Sequence, residues 1–299
     1  MIPSWQNQQE RSTPLALKSI RWIALNLGRP AARLLLYPIT LYFLLFAPGQ
    51  RKASLRYLKR VLNREPTWLD VARHIFCFAS TILDRVYLMT GQFQRLDIRF
   101  PDDNIPLRYS RQGTGSILLG SHVGSYEVLR SYAVKKCPLP VKILMYEQHN
   151  PMIVEVLNAL NPALSELMIP LNSVDSMLKV KEAVEQGFAV GLLGDRIMEN
   201  KARKKVRCTL LGGEVDLPSA PIVIAASLKI PVIVFFGIYR GGNRYELHFE
   251  VLAEKIELDR ANRQRDLQKW MQGYADILER IIRSAPYNWF NFYDYWEDE

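Results

Sequence analysis

His122 and Glu127 are the two residues whose types and spacing most directly suggest chemistry, in the stretch Ile117-Leu118-Leu119-Gly120-Ser121-His122-Val123-Gly124-Ser125-Tyr126-Glu127. Imidazole titrates near neutrality, so it is suited to taking a proton from an alcohol. A carboxylate on its far ring nitrogen fixes the tautomer and stabilises the imidazolium as it forms. No G-x-S-x-G elbow supplies a serine nucleophile, so the pair points to activation of a bound hydroxyl. Five residues on one regular helix separate two side chains by about 140°. His122 and Glu127 therefore meet only if His122 precedes the helix and folds back over its first turn. Gly124, with its backbone freedom, and Ser125, as a favoured N-cap, suit that path. The competing reading is a structural histidine with Glu127 placed against a helix dipole. The strand-to-helix switch, the flanking glycines and a total of four histidines favour chemistry.

The elements that must position this pair follow from periodicity. Short apolar runs near 116–120, 141–145, 167–170 and 188–193 alternate with helical patterns at 125–136, 151–160 and 174–186. This predicts an α/β fold with a mixed, mostly parallel central sheet covered by helices. Val206–Val215 reads as a hairpin around Gly212-Gly213, Ala220–Ser227 as a helix, and Pro231–Gly237 as a buried strand. Residues 245–251 alternate in strand fashion, and 263–283 form a last amphipathic helix. Gly194-Asp195-Arg196 follows the fourth of these apolar runs. Ligand-binding residues favour the carboxyl ends of such strands, so Asp195 and Arg196 are expected in the same cleft as His122. Arg196 offers a planar fork to a phosphate or carbonyl oxygen, although an ordinary Asp–Arg turn is an equal alternative.

Composition narrows the class. With 48% hydrophobic and 23% charged residues over 299 positions, the sequence is globular and long enough for a sizeable core. Cys77, Cys137 and Cys208 form no disulfide framework and lack metal-ligand spacing. No Walker A, C-x-x-C or G-x-G-x-x-G occurs, so no metal and no cofactor is expected. The net charge of +9 resides entirely in residues 1–90, which hold 13 basic and 4 acidic residues. The remainder is balanced. Such asymmetry points to an anionic partner at the N-terminal third, either membrane lipid or nucleic acid; the basic tract 201–207 has no interleaved base-stacking aromatics and no recognisable module, so nucleic acid is not expected there.

Residues 15–46 are apolar, with Arg21, Arg29 and Arg33 interrupting. The dense part, 34–47, is 14 residues long. That is shorter than the roughly 20 needed to span a bilayer. Pro38 is expected to kink it, and Arg51-Lys52 and Lys59-Arg60 follow. We read residues 1–60 as a basic, apolar membrane-association segment and 61–299 as the catalytic domain, with a buried core hairpin as the alternative. Thr67-Trp68-Leu69-Asp70 reads as an N-cap and first turn for a helix running to about residue 90.

His-x4-Glu after a short apolar strand resembles block I of the lysophospholipid acyltransferase superfamily, and the lipid A biosynthesis acyltransferases are the branch it is most similar to. Gly194-Asp195-Arg196 resembles the second block, Lys229–Val234 the fourth, and Pro286–Trp296 the aromatic ending of that branch. Tyr146…Asn150-Pro151 resembles its tyrosine-to-Asn-Pro segment, with Glu147 where the branch usually has arginine. Arg196 also departs from that branch, and the third block is absent. The arrangement looks most like a divergent subgroup of predicted acyltransferases.

The resemblance implies a membrane-associated O-acyltransferase using an acyl thioester of acyl carrier protein or coenzyme A as co-substrate, with a lipid or glycolipid hydroxyl as acceptor. His122 would be the base and Glu127 its orienter. Gly124, Ser125, Asp195, Arg196 and Asn150 would bind substrate, with backbone N–H groups near Gly124 facing the oxyanion. It also implies the cytoplasmic face of a bacterial inner membrane, and an acyl carrier protein as partner. The basic tract 201–207 is one docking candidate, or a solvated loop. A lipid ester or thioester hydrolase with the same dyad, and a non-catalytic lipid-binding protein, are the alternatives.

Overall fold

The computed structural model describes residues 22–100, 105–129, 131, 139–145, 167–171, 175–197 and 205–296. The helix expected at 151–160, half of the one expected at 125–136, Asn150 with the segment around it, and residues 201–204 of the basic tract lie outside those residues.

Seven strands form one sheet in the order β1-β9-β8-β2-β5-β3-β4. They are β1 (Asp97–Arg99), β2 (Ser116–Gly120), β3 (Val141–Met145), β4 (Met168–Pro170), β5 (Ala189–Leu193), β8 (Val232–Tyr239) and β9 (Arg244–Ala253). Every neighbouring pair is parallel except β8 with β9. Central strands β2 and β8 are buried along their whole length. This explains their unbroken apolar runs, since helices cover both faces of a parallel sheet. The hairpin β6 (Lys205–Leu210) and β7 (Gly213–Pro218) stands apart as a two-stranded sheet.

Strand order sets the site. The chain leaves β2, makes β3 and β4 on one side, returns to insert β5 between β2 and β3, and only later adds β8 on the other flank of β2. The carboxyl ends of β2 and β5 thus lie side by side at a reversal of winding, where such sheets bind ligands. Gly120 pairs with Leu193 in the register. His122 and Asp195, each two residues further on, are brought to the same level.

The helices are α1 (Gly28–Leu34), α2 (Leu36–Phe46), α3 (Pro48–Leu62), α4 (Trp68–Met89), α5 (Ile105–Arg111), α6 (Ser176–Glu185), α7 (Ala220–Leu228) and α8 (Arg263–Ser284). Thr67 caps α4 as read from sequence: its Oγ1 accepts from the Asp70 N–H, and Asp70 Oδ2 accepts from the Thr67 N–H at 2.7 Å. Tyr57, Leu58 and Val61 of α3 enter the main core with the inner face of α8.

A buried ion pair holds α1 to α4, and Tyr245 of β9 joins it from the sheet. Arg29 donates from Nε and Nη2 to the two oxygens of Asp84 at 2.7 and 2.8 Å, and Tyr245 donates to Asp84 Oδ2 at 2.9 Å. Such a pair fixes an arrangement more than it adds net stability, but breaking one partner costs about 3–5 kcal/mol.

The expected kink at Pro38 is displaced. The helical path breaks around Leu35, and Pro38 lies in the first turn of α2, where its missing N–H leaves no intrahelical bond unmade. The sharper bend, 94°, separates 28–46 from α3. Among the described residues no single helix is long and apolar enough to cross a membrane. Leu34, Tyr37, Leu41, Tyr42, Leu45 and Phe46 are nevertheless exposed.

Candidate active site

His122 sits on the short segment after β2, and its orientation is over-determined by backbone contacts. Its N–H donates to Asp195 Oδ2 at 3.0 Å and its carbonyl accepts from the Phe290 N–H at 2.9 Å. The Gly124 N–H donates to Asn288 O and the Ser125 N–H to Gly237 O, each at 2.8 Å. The last contact needs glycine on both sides. A Cβ on Gly124, at φ +61°, would stand 2.0 Å from the Gly237 oxygen, and one on Gly237 would stand 2.1 Å from the Ser125 oxygen.

The carboxylate on the imidazole is Asp195, where the sequence pointed to Glu127. His122 Nδ1 lies 2.8 Å from Asp195 Oδ1. Asp195 is fully buried and also receives the Trp289 indole N–H at 3.0 Å and the Asn291 amide at 3.3 Å. Tyr295 donates to its backbone oxygen at 2.6 Å. Burial pushes the Asp195 carboxyl up, but the facing imidazole, with Arg196, outweighs burial and holds it well below the usual carboxylate range. Asp195 is therefore an anion, and the Nδ1 proton of neutral His122 points at it.

Burial lowers the imidazole below its ordinary value near 6.5, Arg196 lowers it further, and Asp195 opposes both. The result is a neutral imidazole at pH 7 whose Nε2 lone pair has no protein partner among the described residues. The His122 side chain is 24% exposed. That is the electronic state of a general base.

Glu127 is turned elsewhere. One oxygen accepts from Ser125 Oγ at 2.7 Å and the other forms an ion pair with Arg85 of α4. The physical reason is local: residues 126 and 127 form a turn and helix begins only at Val128, so no first helical turn presents Glu127 to His122. Ser125 likewise uses its hydroxyl on Glu127 rather than as an N-cap. The Gly124 and Ser125 N–H groups expected to face an oxyanion are spent on Asn288 O and Gly237 O.

Arg196 does reach the site. Its Nε donates to Asn291 Oδ1 at 2.8 Å and Nη2 to Phe290 O at 2.9 Å, so part of its fork holds the C-terminal segment. Of the expected residues, His122, Gly124, Ser125, Glu127, Asp195 and Arg196 lie around the β2 and β5 ends, while Asn150 lies outside the described residues. Sequence reasoning missed Trp289 and Asn291 as ligands of Asp195. Their only signal was the polar Asn288, Trp289 and Asn291 inside an aromatic ending.

A second histidine braces the same segment. His74 of α4 is fully buried, with Nδ1 2.8 Å from Ser54 Oγ and Nε2 2.9 Å from Trp289 O. Burial pushes its pKa down to about 4, so it stays neutral and bridges α3, α4 and the C-terminal segment.

A neutral imidazole held by a buried carboxylate thus stands at the carboxyl end of a mostly parallel sheet, with no serine elbow in the sequence. The sequence matches the family model of the bacterial lipid A biosynthesis acyltransferases over residues 18–298, and the chain belongs to that family. Acyl transfer with a lipid acceptor and an acyl donor is that family's activity. No curated protein matches the sequence.

Proposed function

We propose that the protein is a membrane-associated O-acyltransferase that moves an acyl chain from a thioester of acyl carrier protein or coenzyme A to a hydroxyl of a lipid or glycolipid. The observation that carries this reading is the His122–Asp195 pair with an open Nε2. Nε2 takes the proton of the acceptor hydroxyl, and the oxygen attacks the thioester carbonyl. The tetrahedral intermediate then collapses, breaking the C–S bond, and the imidazolium returns its proton to the leaving thiolate. Asp195 keeps Nδ1 protonated and faces the positive charge that forms on the ring. Arg196 adds positive charge that favours an anionic substrate, consistent with a lipid headgroup or the phosphate of a carrier's prosthetic arm.

Membrane association is supported by the outer face of the N-terminal helices. Leu34, Tyr37, Leu41 and Leu45 recur at helical spacing and are exposed, and Arg51 stacks on Trp68 at 5.0 Å while donating to Leu44 O at 2.7 Å. Trp68 and Leu69 therefore continue the apolar surface of α2 across a separate element. A tract of this kind beside Arg51, Lys52 and Lys59 suits anionic phospholipid. In this reading residues 1–60 serve the membrane and 61–299 the chemistry. α3 belongs to both, because its Tyr57 and Leu58 are core residues. The cytoplasmic face of a bacterial inner membrane, where acyl thioesters are made, is the corresponding location.

The test is release of free thiol from lauroyl-acyl carrier protein and from lauroyl-coenzyme A, each with and without a bacterial lipid extract. Release that requires the extract and disappears in His122→Ala supports the reading. Release at the same rate without acceptor overturns it in favour of hydrolysis.

A further inference from the structure

Glu127 is buried, and both of its oxygens are engaged, yet neither serves His122. What it holds is Arg85. The face of α4 that carries His74, Phe78, Thr81 and Arg85, at spacings of four, three and four, lies along the site. His74 bonds Trp289 O, Phe78 packs on Phe290 and Phe292 with ring centroids 5.2 and 5.3 Å apart, and Arg85 pairs with Glu127. The Arg85 guanidinium also stands over the Tyr126 ring at 5.4 Å. It thus has a carboxylate against one edge, in ion-pair contact that lacks hydrogen-bond geometry at the buried Nε, and an aromatic ring on one face.

Its other edge is open. Arg85 carries five N–H donors, and Nε is the atom turned to Glu127. Nη1 and Nη2 meet no acceptor among the described residues, while 23% of the side chain remains exposed. The other donors named around His122 are committed: the His122 N–H to Asp195, the Gly124 N–H to Asn288 O, the Ser125 N–H to Gly237 O, and Arg196 Nε and Nη2 to Asn291 and Phe290. Arg85 and His122 flank the same short segment after β2, since Arg85 pairs with Glu127 and stands over Tyr126.

Resting on the acyl-transfer reading above, we infer that the Arg85 guanidinium, held by Glu127, binds the oxyanion that forms when the acceptor oxygen adds to the acyl carbonyl. In that step the carbonyl π pair moves to oxygen and Arg85 hydrogen-bonds the charged oxygen. On collapse the pair returns, the C–S bond breaks, and Arg85 is left with a neutral ester carbonyl. Glu127 is then a positioning residue that acts through Arg85. Such a donor acts on charge that exists only in the transition state, so its removal lowers kcat far more than it raises KM.

The experiment measures kcat and KM for lauroyl-acyl carrier protein, with the lipid extract saturating, for wild type, Arg85→Ala, Arg85→Lys, Glu127→Gln and His122→Ala. Arg85→Ala is expected to lose about 10²–10³-fold in kcat with KM nearly unchanged, and millimolar guanidinium to restore part of it. Arg85→Lys, which retains charge and most of the packing, is expected to lose activity as well because it lacks the fork. Glu127→Gln is expected to fall between wild type and Arg85→Ala. Unchanged kcat in both Arg85 variants overturns the inference, as does a change confined to KM, which would make Arg85 a ground-state anion site. If His122→Ala also remains active, the base reading falls with it. If only His122→Ala is inactive, the Arg85 inference alone fails.

Discussion

At the scale of single residues, the division of labour between the two carboxylates is sharp. Asp195 touches the base, and Glu127 touches a cation. Asp195→Asn is expected to cost about 10²–10⁴-fold in kcat, because an amide cannot hold Nδ1 protonated or face an imidazolium. Steady-state rates with a single donor measure it, and near-normal turnover would remove Asp195 from the mechanism. The pH dependence has a definite sign. His122 works only when neutral, and its pKa is lowered by burial and by Arg196. Activity should therefore rise with pH along a limb centred below 6.5 and be level at neutrality. Asp195 is the group that raises the imidazole pKa. In Asp195→Asn the residual activity should show that limb displaced to lower pH. A limb displaced upward would contradict the pairing.

At the scale of elements, the segment after β2 is held by a backbone crossing that glycine alone permits. Gly124→Ala or Gly237→Ala must push two main chains apart, and a loss of more than about 2 kcal/mol is expected from denaturant midpoints. Much of this architecture was legible in the sequence. The apolar runs that became β2, β5 and β8 are continuous because both faces of the sheet are covered, and the α4 cap stands in Thr67 and Asp70. The site was half legible. His122 and Gly194-Asp195-Arg196 each read as cleft residues, but their pairing depends on β5 inserting beside β2, and local patterns carry no strand order. Glu127 lay nearer in sequence and was the natural partner until the turn at 126–127 showed otherwise. Trp289 and Asn291 reach Asp195 from more than ninety residues away, and an aromatic tail reads equally well as plain core.

At the scale of the whole molecule, the exposed apolar stripe of α2 and the exposed Trp68–Leu69 pair are linked through Arg51. Leu69 is 81% exposed, so Trp68→Ser with Leu69→Ser removes apolar surface without opening the core. Binding to vesicles of phosphatidylethanolamine and phosphatidylglycerol should weaken several-fold in co-sedimentation, with unchanged thermal unfolding. Equal binding would confine the contact to the N-terminal helices. The bracing histidine gives the fold its own pH response. His74 is protonated in the unfolded chain below about 6.5 but in the native state only near 4. Between those values the unfolded state binds the extra proton, so stability falls as pH falls, by about 3 kcal/mol in full. His74→Gln should flatten the Tm profile over that range, and an unaltered slope would assign the acid sensitivity to other groups.

In the proposed reaction His122, set by Asp195, is the base that lets a lipid hydroxyl accept an acyl chain. Mass spectrometry of total lipids from cells carrying wild-type protein, His122→Ala, Asp195→Asn or no protein tests it most directly. A lipid species heavier by one acyl group is expected with wild type, absent in His122→Ala and strongly reduced in Asp195→Asn. Identical lipid profiles in all four strains would contradict it.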